Sequence, residues 1–257
     1  MLNNIFDTHA HYTADAFDDD RDELLSSLPS KGVKFVMLAA SSLETSWQNI
    51  DISNRFDYIF SSVGVHPESI NETDSDYLKT LEKLASHEKV VAIGEIGLDY
   101  HYDGYDRDLQ LKFFEEQLVL AKKLNLPVIV HSRDATEDCM NLLKKHKPNG
   151  VMHCFSGSTE TAREIIALGM YISFTGVITF KNARKAIEAL QVIPMDRLML
   201  ETDCPYMAPE PFRGKRSDSS MIANIAKKIA EIKNITAQEV LDITFTNGIS
   251  LFDIPKI

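Results

Sequence analysis

The sequence predicts an α/β fold, a single (β/α)8 TIM barrel over residues 1–257, from three observations. Eight short apolar segments recur along the chain. Nearly every one is followed by an amphipathic, helix-like stretch. The apolar segments run almost continuously instead of alternating with polar residues, which suits parallel strands buried on both faces. Eight such units fit a closed barrel better than an open doubly wound sheet, and barrels of roughly 250 residues are commonly one domain. No low-complexity linker marks an internal boundary.

Each unit can be justified in order. "IFDTHAH" (residues 5–11) leads to an acidic helical stretch ending near residue 30, and "FVMLAA" (35–40) to a helix opening at Leu43. "IFSSVGVHP" (59–67) precedes a helix over 76–87. "VVAIGEIGLD" (90–99) leads, through a Gly/Tyr loop, to the long helix 108–124. "PVIVHSR" (127–133) is followed by a helix over 134–146, where Asp134 and Glu137 have capping-box spacing. "GVMHCFSG" (150–157), "YISFTG" (171–176) and "LMLETDCPY" (198–206) are the last strands, interleaved with helices over 159–168 and 182–190. Helices over 221–232 and 237–247 close the chain, the second with Thr236 and Glu239 at capping-box spacing. Gly32 and Gly169 stand where a helix C-cap precedes a strand.

Composition limits the function classes. The formal net charge is −11, which argues against non-specific coating of nucleic acid or anionic membranes but permits a nucleic-acid substrate at one local site. The three cysteines form no CxxC pair. No charged start precedes an apolar stretch, and no apolar run approaches ~18 residues. These features lead to the expectation of a soluble, cytoplasmic chain with reduced thiols, without a membrane partner or an evident obligate protein partner.

Metal-ligand residue types end one strand after another: His9 and His11, then Glu95, His131, His153 and Asp203. A barrel gathers its functional groups at this end of its strands. Side-chain alternation turns His9 and His11 to one face with Asp7 a layer below, Val91 and Ile93 to the face of Glu95, and Met199 and Glu201 to that of Asp203. The same rule turns Cys154 and Cys204 outward, which excludes them from a metal site. A lone HxH is a weak signal, and His131 or His153 alone is more often a satisfied core histidine. Six such groups in one layer are harder to dismiss, because unpaired buried charge costs several kcal/mol. Four imidazoles and two carboxylates suit two divalent cations, with two His on each and one carboxylate bridging. Zn, Mn, Fe or Ni would fit, or Mg with water completing its shell.

The stretches "FDTHAH", "VGVHP", "AIGEIGLDY", "LPVIVHSRDA", "MHCFSG", "SFTGVITFKNA", "LETDCPYMAP" and "FRGKRS" together resemble the TatD family of metal-dependent DNases, among the amidohydrolase-like barrels. The resemblance implies that His9, His11 and Asp203 bind one cation, that Glu95 bridges, and that His131 and His153 bind the second. Many barrel relatives bridge with a carboxylated lysine, where "AIGEIG" offers Glu95. After "RGKR" this chain departs from the family pattern with Ser217, Asp218 and Ser219.

The activity so implied is a divalent-metal-dependent deoxyribonuclease, an exonuclease on single-stranded or frayed DNA ends. Asp203 and Glu95 are its catalytic carboxylates, with Asp203 taking the proton from the attacking water. His66 is expected to hydrogen-bond a substrate phosphate. Arg133, Lys181, Arg213, Lys215 and Arg216 offer a local positive rim. Tyr100, Tyr102, Tyr105, Phe155 and Phe212 are candidates for stacking on unpaired bases. The alternative is a metallohydrolase of the same fold acting on an ester or amide, such as an aminoacyl-tRNA or a small molecule. A non-catalytic binding protein is disfavoured by the complete ligand set.

Overall fold

The computed structural model describes residues 2–255; residues 1, 256 and 257 of the expected domain lie outside the described residues. Strands and helices alternate as β1 (Ile5–Ala10), α1 (Arg21–Ser27), β2 (Val33–Leu38), α2 (Leu43–Arg55), β3 (Ile59–Val63), α3 (Tyr77–Leu84), β4 (Val90–Asp99) and α4 (Arg107–Leu124). The second half runs β5 (Val128–Arg133), α5 (Thr136–His146), β6 (Gly150–Met152), α6 (Thr159–Ala167), β7 (Tyr171–Phe174), α7 (Arg184–Val192), β8 (Leu198–Leu200), α8 (Ile222–Lys233) and α9 (Ala237–Phe252). The strands form one parallel sheet in the order β1 to β8. This is the predicted (β/α)8 barrel.

Closure occurs between the first strand and the residues that follow the last. Ala10 bridges to Cys204. The Asp203 N–H donates to the His9 carbonyl at 2.9 Å, and the His11 N–H donates to the Cys204 carbonyl at 2.9 Å. The seam of the barrel is therefore sewn by the backbone of three candidate ligands.

Two cores follow from strand alternation. The barrel interior holds Phe6, Phe35, Met37, Ile129, Val151 and Met199, and the C-terminal part of α9 adds Ile249 and Phe252. Phe6 lies edge-on to Phe35, with ring centroids 5.6 Å apart, and Phe35 stacks on Phe245 at 5.5 Å. Aromatic and aliphatic bulk thus plugs the end of the barrel where the strands begin. Outward residues such as Val36, Ile93, Val130 and Ile172 join the helix layer in the larger cluster.

Strict alternation fails at two strands. Phe6 faces the barrel interior, so Asp7 points outward to Thr202 and Ser219 instead of lying beneath the histidines. The register of β1 slips between Asp7 and Ala10, which lets Phe6 and His9, of opposite parity, both face inward. On β4, Ile93 belongs to the outer cluster while Ala92 faces the interior. A register irregularity between Ile93 and Ile96 then returns Glu95 to the inside.

Local signals fare unevenly. The Thr236–Glu239 capping box forms, and Gly32 (φ 91°) and Gly169 (φ 85°) adopt the left-handed conformation expected of them. The Asp134–Glu137 box does not. Asp134 has φ 54°, its carboxylate meets His101 Nδ1 at 2.8 Å, and α5 begins two residues later with Ala135 as an N-cap lacking a side-chain bond. Cys154 also departs from alternation (φ 45°) and lines the central cavity instead of entering the helix layer.

β4 approaches β5 closely at Gly97, whose φ is 150° and whose added Cβ would collide with the His131 carbonyl. Gly97→Ala is therefore expected to destabilise the fold by about 2–3 kcal/mol. For a chain of this length, that lowers the thermal midpoint by roughly 5–10 °C in circular-dichroism melts.

Candidate metal centre

The strand ends bring all six predicted ligands together around one carboxylate. On one side, Glu95 Oε2 lies 3.2 Å from His9 Nε2 and 3.6 Å from His11 Nε2. Asp203 Oδ1 lies 3.6 and 3.2 Å from the same two nitrogens, which are 3.0 Å from each other. On the other side, Glu95 Oε1 lies 2.8 Å from His153 Nε2, 2.9 Å from His131 Nδ1 and 3.4 Å from His66 Nε2. The His9 and His153 rings stack across the divide, with centroids 4.0 Å apart.

These spacings are those of a metal's donor shell. Four donors at roughly 2.1 Å from a cation stand about 3.4 Å apart in a tetrahedron. The Nε2 atoms of His9 and His11 each stand 3.2–3.6 Å from one Glu95 oxygen and one Asp203 oxygen, a donor set that a cation can share. Three donor groups have atoms within 4.8 Å of one another: His9, His11 and Asp203; His9, Glu95 and His153; His66, Glu95 and His131. No cysteine enters these groups among the described residues.

Behind the donors stand groups that fix their orientation. His11 Nδ1 lies 3.1 Å from the Ala39 carbonyl and donates to it, leaving Nε2 free for the site. His131 Nε2 meets Asp99 Oδ2 at 3.0 Å, and the other Asp99 oxygen accepts from the His101 N–H at 2.9 Å. Such a carboxylate–imidazole pair sets the ring's tautomer and raises its basicity toward a metal. Glu201 is wholly buried and accepts from Ser173 Oγ at 2.7 Å and from the Cys154 N–H; its Oε1 lies 3.6 Å from His153 Nδ1. Asp7 accepts from the Thr202 N–H at 2.9 Å, Thr202 Oγ1 at 2.6 Å and Ser219 Oγ at 2.7 Å, tying the first strand to the end of the last.

The local field follows from these contacts. Burial alone would raise the Glu95 carboxyl, yet the imidazoles of His153, His66 and His9 hold it well below its ordinary range. Asp203 is likewise held low against burial by His11 and His9. Burial works against the charged forms of His153, His131 and His11, and the facing carboxylates outweigh it in each case. His9 differs: burial, reinforced by His153, lowers it. Asp7 is pushed up to about 7 by burial despite its hydrogen bonds.

The centre forms one wall of a cavity of about 940 Å³. His66 lines it and sits within the donor cluster, with Nδ1 accepting from the Glu68 N–H at 3.2 Å. Arg133, Tyr102 and Phe155 also line it. Arg213, Lys215 and Arg216, offered by the sequence as part of the rim, are not among the lining residues. Arg213 lies over Phe180 at 4.3 Å and Lys215 over Phe212 at 5.9 Å. Arg216 pairs with Asp20 at 2.7 and 2.5 Å and donates to the Ala16 carbonyl at 2.7 Å. Tyr100 stacks on Tyr105 at 4.5 Å and donates its hydroxyl to Asp138.

Sequence reasoning passed over Asp99, Glu201 and Tyr206. Asp99 ends the "GEIGLD" stretch, and Glu201 shares its face with Asp203, so both lay within strands already singled out. Tyr206 is 61% exposed at the cavity mouth and had no signal beyond its place after "ETDCP".

A family model described as TatD related DNase matches residues 6–253. A relative from Bacillus subtilis (strain 168), called uncharacterized metal-dependent hydrolase YabD, is 43% identical over 254 residues, covering 97% of this chain and 99% of its own. The 3'-5' ssDNA/RNA exonuclease TatD of Cronobacter sakazakii (strain ATCC BAA-894) is 36% identical over 236 residues, covering 88% of this chain and 89% of its own. Among solved structures, YJJV, a TatD homolog from Escherichia coli K12, superposes with a TM-score of 0.93 at 30% identity, covering 99% of this chain and all of the other.

Two outcomes follow from the site. Asp99→Asn is expected to weaken divalent-metal affinity by about 10–100-fold, read by competition with a chelator. Because the carboxylates favour protonated His11, His131 and His153, a cation must displace protons from them. Affinity should therefore rise with pH, and calorimetry in buffers of different ionisation enthalpy should register proton release.

Proposed function

The chain belongs to the TatD-related DNase family and is a metal-dependent hydrolase acting on ester bonds; on that premise we propose that it cleaves the phosphodiester bonds of DNA, from single-stranded or frayed ends, with two divalent cations. The observation that carries this reading is Glu95, whose two oxygens face separate sets of imidazoles 2.8 to 3.6 Å away. His9, His11 and Asp203 would hold one cation, His131 and His153 the other, and Glu95 both. When bound, a pair of this kind lowers the pKa of water and stabilises charge on phosphate oxygens.

The chain's own residues supply the rest. Asp203 takes the proton from the attacking water at a carboxylate oxygen, since its ionised form is favoured by His11 and His9. Asp99 and the Ala39 carbonyl keep His131 and His11 in the ligating tautomer. His66, at the cavity wall, hydrogen-bonds a phosphate oxygen, and Arg133 lines the same cavity with a fixed positive charge. Tyr102, 57% exposed and held under the Arg133 guanidinium at 5.2 Å, presents a face on which a base can stack. Arg213 and Lys215 reach only a strand long enough to leave the cavity. Arg216, bound to Asp20, serves the fold. Relatives named 3'-5' ssDNA/RNA exonucleases support the polarity and the single-stranded substrate.

The test is hydrolysis of 5′- and 3′-labelled single-stranded DNA by stripped and metal-reloaded protein. Stripping, Glu95→Ala or His131→Ala should each lower the rate by roughly a thousandfold, the scale of several kcal/mol of metal-derived stabilisation. Mononucleotides should leave from the 3′ end. Chelator-insensitive cleavage, or turnover of a lactone or aminoacyl-tRNA with none of DNA, would contradict the proposal.

A further inference from the structure

Beside the metal centre lies a second cavity of about 360 Å³. It shares Ser132, Arg133, His153, Cys154, Phe155 and Ser156 with the main cavity, so the two adjoin. That is well above the space one water needs, enough for a phosphate with ordered water.

Its charges differ from those of the main cavity. Besides the donor cluster and Asp99 behind it, the main cavity is lined by Asp15, Glu44 and Glu68 against one cation, Arg133. The side cavity is lined by two cations, Arg133 and Lys185, against Asp134, whose carboxylate is engaged by His101 at 2.8 Å. Lys185 stands in the first turn of α7; its neighbour Arg184 is paired with Glu188, whereas no ion pair among the described residues engages Lys185. Arg133 lies over the Tyr102 ring at 5.2 Å and makes one long hydrogen bond, 3.5 Å, to its hydroxyl. In a chain of net charge −11, two cations lining one cavity with one occupied carboxylate form a distinct local field.

We infer that this side cavity is a subsite for the phosphate next to the scissile one, with Lys185 and Arg133 as its cationic walls. The inference rests on the nuclease reading above and gives the strand a direction through the site. A phosphate placed toward Asp15, Glu44 and Glu68 meets three carboxylates; one placed toward Lys185 meets two cations. The continuing strand therefore leaves past Phe155 and Ser156, and the acidic side receives the terminal residue, which carries no further phosphate. End-directed cleavage follows from that asymmetry.

The test measures fluorescence anisotropy of a labelled six-nucleotide thymidylate, its terminal linkage a cleavage-resistant phosphorothioate, on metal-loaded protein, with hydrolysis of the unmodified oligonucleotide followed separately. A second probe carries an uncharged methylphosphonate at the linkage next to the terminal one. Lys185→Ala should raise Kd for the ordinary probe about tenfold and reduce the slope of log Kd against log salt by about 0.7, with an unchanged thermal midpoint. The methylphosphonate should raise Kd similarly on the wild-type protein and leave that of Lys185→Ala unchanged. A Kd within twofold after the substitution, or equal losses for both probes, overturns the subsite. Lys185-dependent binding without hydrolysis would retain the subsite and refute the nuclease reading; hydrolysis indifferent to Lys185 would do the reverse.

Discussion

One buried carboxylate organises this molecule. Glu95 is 4% exposed and lies within 3.6 Å of nitrogens from five imidazoles. An isolated carboxylate at that depth costs several kcal/mol and would take up a proton. Here the surrounding imidazoles keep it ionised, and those of His11, His131 and His153 are held protonated by Glu95, Asp203, Asp99 and Glu201 in turn. Such a cluster has little to recommend it as a device for stability, because well-packed apolar groups of the same volume serve as well or better. Its retention at the open end of a barrel makes sense as a place for cations.

The fold meets this demand by making barrel closure and ligand placement the same event. The hydrogen bonds that join β1 to the segment after β8 belong to His9, His11, Asp203 and Cys204. Asp7 reinforces the seam from the outer side through Thr202 and Ser219, and Tyr12 bonds Ser219 at 2.9 Å. The opposite end is filled by Phe6, Phe35, Phe245 and Phe252. Rigid apolar bulk below and paired backbone around the rim leave the donors little freedom to drift, which is what preorganised metal binding requires.

How far this was legible in the sequence depends on how local the signal was. Strand–helix alternation and the ligand types at strand ends reflect chain-local periodicity, so the eight units and the convergence of His9, His11, Glu95, His131, His153 and Asp203 could be read directly. The positions of Asp7 and Ile93 could not, because register slips on β1 and β4 break the two-residue period in response to neighbouring strands. Asp134 has the spacing of a helix cap, but tertiary contact with His101 claims its carboxylate. The basic rim shows the same limit: Arg216 and Arg133 look alike in sequence, while one is folded onto Asp20 and the other stands at the cavity. Long side chains are placed by partners distant in the chain, and spacing alone carries no record of them.

On the proposed function, the charge pattern also lets an acidic chain meet a polyanion at one place. Arg133 and Lys185 mark a positive flank beside the centre, while the net charge of −11 disfavours non-specific association. The whole account turns on Glu95 standing between two cations. Anomalous diffraction from crystals soaked in Mn²⁺ or Zn²⁺, recorded at the absorption edge of each, tests this most directly. The account predicts two peaks roughly 3.5–4 Å apart, one on each side of the Glu95 carboxylate. A single peak away from Glu95, or none at saturating metal, would contradict it.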